Sequence, residues 1–205
     1  MSAPATDRGR ERKLPEIVLA STSPYRRALL DRLGLAFRCL PPHCDEETLK
    51  FQEADPSRLA ERLALAKAKS IEAANRSAVI IGCDQLVWFQ GRTFGKPGSV
   101  DRAIDQLSAM SGQSHELVTA LVVLHGERVF RHTDVTSLRM RNLSRGAIER
   151  YVAADQPLDC AGSYKLESRG IALFDRIQTD DHTAVTGLPL VALVTILRDL
   201  GYEIP

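Results

Sequence analysis

The run Val79-Ile80-Ile81-Gly82, closed by Cys83-Asp84, constrains this chain most. Its apolar residues do not alternate with polar ones, so the strand they form is covered on both faces. An acid directly after such a strand either makes a turn or stands where open α/β sheets present their ligand-binding residues. Such a strand needs helices on both sides of its sheet, and the rest of the chain supplies them by alternation.

Ile17 to Ala20 reads as a short strand, and Ser21-Thr22-Ser23-Pro24 follows it. Ser23 is an N-cap and Pro24 a first helical residue, with Leu29, Leu30 and Leu33 as the apolar stripe and Gly34 as the stop. Phe37 to Leu40 reads as a second strand, and Asp55-Pro56 opens a helix running to about Asn75. After the central strand, Leu86 to Phe89 continues extended to a turn at Gln90-Gly91, and a loop follows at Gly95 to Gly98. Ser99 starts a helix to about Met110. Leu117 to Leu124 and Val129 to Leu138 form a hairpin through His125-Gly126-Glu127. Ser144 caps a helix to about Ala153, Ile171 to Ile177 reads as a strand, and Leu188 to Leu200 as a final helix stopped by Gly201. The pattern predicts an α/β domain with a mixed sheet, and 205 residues suffice for a sizeable core. Polar, Arg-rich residues 1–13 read as a disordered leader.

Several function classes are excluded. No apolar run reaches about 18 residues, so no membrane-spanning helix is written. Lys+Arg is 27 and Asp+Glu 26, a net charge of +1 that argues against a nucleic-acid-coating surface. Cys39, Cys44, Cys83 and Cys160 form no Cys-x-x-Cys, and reduced thiols in a cytoplasm are the expectation. Gly91-Arg92-Thr93-Phe94-Gly95-Lys96-Pro97 has three spacer residues where a phosphate loop has four, and Pro97 replaces its Ser/Thr. No Gly-x-Gly-x-x-Gly occurs, and the histidines lack ligand spacing.

What remains is charge at positions where the pattern calls for apolar residues. Arg26 falls on the Leu29/Leu30/Leu33 face, aimed toward the helix start, where backbone N–H groups and the Ser21-Thr22-Ser23 hydroxyls form an anion site. The other reading of Arg26 is a side chain snorkelling from the core edge. Lys67 flanks the Leu59/Leu63/Ala66 stripe and also reads either way, whereas Lys69 lies on the far, solvated side. Asp84 is the sharpest single residue. Asp45-Glu46 adds carboxylates that can hold a divalent metal against phosphate oxygens, and Lys96 is a further phosphate ligand or a solvated loop lysine. Lys165 and Glu167 fall on one side of Ala161 to Glu167 if that stretch is extended.

These residues resemble a known family. Ala20-Ser21-Thr22-Ser23-Pro24-Tyr25-Arg26-Arg27 is similar to the opening signature of Maf-type nucleoside triphosphate pyrophosphatases. The resemblance continues through Asp45-Glu46, Ala66-Lys67-Ala68, Gly82-Cys83-Asp84-Gln85, Gly95-Lys96-Pro97, Cys160-Ala161-Gly162-Ser163-Tyr164-Lys165 and Gly187-Leu188-Pro189-Leu190. It implies a twisted, elongated mixed sheet flanked by helices around a deep cleft, similar to inosine triphosphate pyrophosphatases, with one domain of two lobes over residues 14–205. It implies cleavage between the α- and β-phosphates with a divalent cation, Mg²⁺ or Mn²⁺, on a nucleoside triphosphate, with no nucleic-acid or membrane partner and a homodimer allowed. Asp84 would be the proton acceptor. Ser21, Arg26, Lys67, Lys96 and Lys165 would bind phosphate, and Glu46 with Asp84 would hold the metal. Tyr25, Gln85 and Glu167 are similar to the subfamily of 7-methyl-GTP pyrophosphatases, whereas dTTP- and UTP-directed members usually carry Arg and Thr at the first two positions. A pyrimidine-directed enzyme of the same family and a nucleotide-binding regulator of cell division are the alternatives. Cys83 stands where the family usually has Ser or Ala, and Ser168-Arg169 follows Glu167 where Gly is expected.

Overall fold

The computed structural model describes residues 14–51 and 53–204, so the leader expected over residues 1–13 lies outside the described residues. The chain runs β1 (Ile17–Ala20), α1 (Pro24–Asp31), β2 (Phe37–Leu40), α2 (Glu46–Phe51), α3 (Pro56–Glu72), β3 (Val79–Phe89), β4 (Arg92–Phe94) and α4 (Val100–Met110). It continues through β5 (Ser114–His125), β6 (Arg128–Met140), α5 (Arg145–Asp155), β7 (Phe174–Gln178) and α6 (Leu190–Asp199). The sheet order is β2-β1-β3-β5-β6-β7, with β4 paired to the far half of β3. β1 is parallel to both its neighbours and every other pairing is antiparallel, which makes the sheet mixed as expected.

β3 carries the architecture. It does not end at Asp84 but runs unbroken to Phe89, so Asp84 sits in mid-strand. What ends there is its parallel neighbour, since β1 pairs with β3 only as far as Leu19 opposite Ile81. Beyond that point one side of β3 is open, and the cleft occupies the opening. The near half of β3 lies between two apolar layers. Ile80 packs with α3 residues Leu63, Ala64 and Ala68 on one face, and Ile81 with Leu29, Leu30 and Leu193 on the other. The far half belongs to a third cluster, where Val87 packs with Leu107, Val152 and Phe174.

Gly82 sets the fit of α3 on this strand. A Cβ there would lie 2.2 Å from the Ala64 carbonyl oxygen and 2.9 Å from the Ala68 Cβ. Only glycine permits that approach, and the approach brings the α3 side chain at position 67 down onto the strand.

Several expectations are corrected. α3 ends at Glu72 rather than near Asn75. The strand expected over Ile171 to Ile177 begins only at Phe174, because residues 169–173 wind into a 3₁₀ turn. Gly170 explains the turn: its N–H bonds the Lys165 carbonyl at 3.0 Å, an approach that leaves no room for a Cβ. The stretch Ala161 to Glu167 is not extended either, with Gly162 at φ 72° and Ser163 at φ 64°. Lys165 and Glu167 are therefore not strand neighbours on one side. The short elements α2 and β4 were not anticipated. Cys39, Cys44, Cys83 and Cys160 are free thiols, and no described helix is long and apolar enough to cross a membrane.

Candidate functional site

A cleft of about 780 Å³ opens beside the middle of β3. Of the residues selected from sequence, Ser21, Tyr25, Arg26, Glu46, Lys67, Asp84, Gln85, Lys96 and Glu167 line it. Lys165 does not. Its Nζ lies 3.6 Å from Asp159 and 5.9 Å from the centre of the Tyr25 ring, two residues that do line the cleft.

The floor is charged. Lys67 Nζ lies 2.5 Å from Asp84 Oδ1 and 3.1 Å from Glu46 Oε1. Lys67 and Asp84 are only 8% and 6% exposed, so this pair is held in a low-dielectric pocket. The buried reading of Lys67 thus prevails over snorkelling, while Lys69 is solvated and pairs with Glu72. Burial pushes the Asp84 carboxyl above the ordinary aspartate value, with the Lys67 and Arg26 charges pulling it back. Burial works against the Lys67 charge, but the Asp84 and Glu46 carboxylates together hold the ammonium above its usual value. A carboxylate held in place by fixed cations can serve as a proton acceptor.

Arg26 does not snorkel. Its Nε donates to the Gly187 carbonyl at 2.9 Å, which directs the guanidinium into the cleft from across the chain. The helix start is less open than expected. Ser23 caps it by accepting from the Arg26 N–H at 3.4 Å, Pro24 has no N–H, and the Ser21 hydroxyl accepts from the Ser23 N–H at 3.1 Å. The anion-binding capacity here rests on side chains more than on bare backbone donors. Lys96 is exposed on the opposite rim. Its loop is tied to the far wall by Gly98 N–H to Leu158 O at 3.1 Å.

One wall was not foreseen. Residues 184–187 form a turn held by β3 and β5: Gln85 Nε2 donates to Thr119 Oγ1, Ala184 O and Val185 O, and Cys83 Sγ donates to Gly187 O. Asp181 secures the turn's base, accepting from the Thr183 N–H at 2.8 Å and the Val191 N–H at 2.9 Å. β3 thus divides its labour by pleat. Asp84 faces α3, while Cys83 and Gln85 face the turn. The strand alternation could have shown this in the sequence, but the partner turn lies about a hundred residues away.

Among the described residues no group of three or more His, Cys, Asp or Glu side chains gathers to hold a metal. Two carboxylates, of Asp84 and Glu46, do converge on one cationic nitrogen. Hard divalent cations commonly take one or two carboxylates and complete their shell with phosphate and water, so this oxygen donor set fits one.

A cleft floored by a buried Lys–Asp pair and ringed by Arg and Lys, on a mixed α/β sheet, defines a protein built to take a polyanionic small molecule. The fold is similar to a solved HAM1 protein from Coxiella burnetii, with a TM-score of 0.51 at 17% identity over 91% of this chain and 100% of that one. The family model described as Maf-like protein matches residues 16–200, and the chain belongs to that family. It is 48% identical over 184 residues to a 7-methyl-GTP pyrophosphatase of Bdellovibrio bacteriovorus, covering 90% of this chain and 96% of that protein. It is 46% identical over 192 residues to a 7-methyl-GTP pyrophosphatase of Xanthomonas axonopodis pv. citri, covering 94% of this chain and 100% of that protein.

Proposed function

We propose that this protein hydrolyses 7-methyl-GTP to 7-methyl-GMP and diphosphate. The observation that carries the reading is the buried Lys67–Asp84 pair, with Glu46 and Arg26 beside it, inside a cleft large enough for a nucleotide. The relatives that bear the name supply the base.

Arg26, Lys67 and Lys96 neutralise phosphate oxygens, and the Ser21 hydroxyl adds a donor beside the helix start. Asp84 orients a water and takes its proton as the water attacks the α-phosphorus; Lys67 keeps the carboxylate positioned and stabilises its charged form. Diphosphate leaves from the cationic rim. Positioning and charge stabilisation supply most of the rate enhancement in such a site. A divalent cation, Mg²⁺ or Mn²⁺, would be held by Asp84 and Glu46 with phosphate oxygens, and it supplies further charge neutralisation on the triphosphate when bound. Tyr25 offers an aromatic face to the positively charged 7-methylguanine ring, an attraction of roughly 0.5–2 kcal/mol. Glu167 accepts from the N–H edge of guanine.

Diphosphate release by the purified protein with Mg²⁺ or Mn²⁺, over 7-methyl-GTP, GTP, UTP, dTTP and CTP, tests the reading. Preference for 7-methyl-GTP is expected. Preference for UTP or dTTP would overturn the base assignment, and no turnover by folded protein would overturn the activity.

A further inference from the structure

The loop that carries Lys96 is tied to the 158–163 segment through three hydrogen bonds and one side chain. Gly98 N–H donates to Leu158 O at 3.1 Å, Gly162 N–H to Gly95 O at 3.4 Å, and Gln106 Nε2 to the same Gly95 carbonyl at 3.3 Å. Gln106 stands half-buried on α4, one turn beyond Ala103 of the third apolar cluster. Its other end is engaged too, since Oε1 accepts from the Ser163 hydroxyl at 2.6 Å. The direction of this amide is fixed: a carbonyl only accepts and so draws the nitrogen to Gly95, which leaves the oxygen for the Ser163 proton. Ser163 is fully buried at φ 64°, a left-handed backbone conformation that a residue with a side chain keeps only where its surroundings hold it. Its neighbours Cys160, Ala161 and Tyr164 line the cleft, and so do Gly95 and Lys96, whereas Gln106 does not.

We infer that Gln106 is a positioning residue for Lys96, a latch that sets the Lys96 loop against the 160–164 wall and so fixes where the ammonium meets the triphosphate. This rests on the reading of Lys96 as a phosphate ligand given above. Lys96 is exposed on a flexible four-carbon stem, so its reach is set by where the loop backbone is held. Two of the ties converge on the carbonyl of Gly95, the residue directly before it. Without the Gln106 amide that carbonyl keeps the long 3.4 Å bond from Gly162. Charge stabilisation of a reacting phosphate depends on groups pre-set at the right distance, so a slack loop weakens it. Gln106 touches no substrate and acts through the lysine. Its two ends join the cationic rim to the wall that carries Tyr164, and the two sides of the cleft mouth then move as one unit.

The test is a double-mutant cycle on kcat/KM for the best triphosphate of the panel above, in wild type, Gln106→Met, Lys96→Met and the double variant. Methionine roughly keeps the length of each side chain and removes its polar end. Lys96→Met should lower kcat/KM about 10–100-fold and Gln106→Met about 3–10-fold. The double variant should be no slower than Lys96→Met alone, because a latch has no further effect once the ammonium it positions is gone. Ser163→Ala frees the other end of the amide, and should repeat the Gln106→Met loss in the wild-type background but not beside Lys96→Met. A Gln106→Met loss that persists in full beside Lys96→Met would mark a general packing defect and overturn the inference. Wild-type kcat/KM in Gln106→Met would overturn it as well, and both results leave the pyrophosphatase reading intact. Wild-type kcat/KM in Lys96→Met would overturn the role of Lys96 and the inference with it. No turnover of any triphosphate by the wild-type protein would overturn the activity itself, and the inference too.

Discussion

Lys67 Nζ and Asp84 Oδ1 stand 2.5 Å apart, on a helix and a strand that meet only because Gly82 lacks a side chain. The pair joins two requirements, packing of α3 on β3 and a carboxylate whose position and charge are controlled. Asp84→Asn keeps the size of the side chain and removes the base. Turnover should fall about 10²–10⁴-fold with a near wild-type circular dichroism spectrum, while melting falls because the buried Lys67 ammonium keeps only Glu46 as its carboxylate partner. Near wild-type kcat would remove Asp84 from the proposed role. Lys67→Met strands a buried carboxylate and should destabilise by about 3–5 kcal/mol in urea unfolding.

Gly82→Ala is the packing counterpart. Its Cβ would meet backbone at 2.2 Å, and a carbonyl cannot swing aside as a side-chain tip can. The helix must shift, costing about 1–3 kcal/mol. Because the shift carries Lys67 off Asp84, kcat should fall further than KM rises. Unaltered stability and turnover in this variant would sever the link between the glycine and the pair.

How much of this was readable beforehand follows from the range of the interactions. The central strand, the Ser23-Pro24 and Asp55-Pro56 helix starts and the hairpin at Gly126 were legible because each is written in a few adjacent residues. Asp84 was legible because an acid after Val79-Ile80-Ile81 contradicts its surroundings. Ala161 to Glu167 is not extended and the strand expected from Ile171 starts only at Phe174, because the shape here depends on Gly162 and Gly170 approaching Val87 and the Lys165 carbonyl, contacts that no local pattern records. The hold of Gln85 on Ala184 and of Gly187 on Arg26 spans 99 and 161 residues of sequence and was invisible for the same reason. Lys165, expected among the phosphate ligands, has its side chain against Asp159 and Tyr25, two residues of the cleft lining.

Stability should depend on pH through a group outside the cleft chemistry. His115 is 4% exposed, its Nε2 hydrogen-bonds the Tyr164 hydroxyl at 3.1 Å, and its Nδ1 has no partner. Burial lowers its pKa from 6.5 to about 4. A depressed folded-state value means that the unfolded chain takes the proton first, so the contribution is complete above about 6.5 and is lost as pH falls toward 4. The loss should approach about 3 kcal/mol by this linkage, on top of the carboxylate effects common to all variants. His115→Phe should flatten that part of the stability profile in urea titrations between these limits. A wild-type slope in the variant would assign the dependence elsewhere.

Base selectivity should respond to the pairing of Tyr25 with Lys165. The Lys165 ammonium stands 5.9 Å from the ring centre, so this cation already tests the face offered to a cationic base. Tyr25→Arg would remove the aromatic face, add repulsion toward the methylated ring and set two cations together. The ratio of kcat/KM for 7-methyl-GTP over GTP should fall about 2–30-fold, the range of a cation–π attraction. Lys165→Met should move the same ratio the other way, because it removes a competing cation and leaves the ring in place. The change should appear chiefly in KM, since base contacts act in the ground state and the transition state alike. Ratios unchanged in both variants would show that the charge on the base is sensed elsewhere, whereas opposite shifts in the two would assign the sensing to the Tyr25 ring.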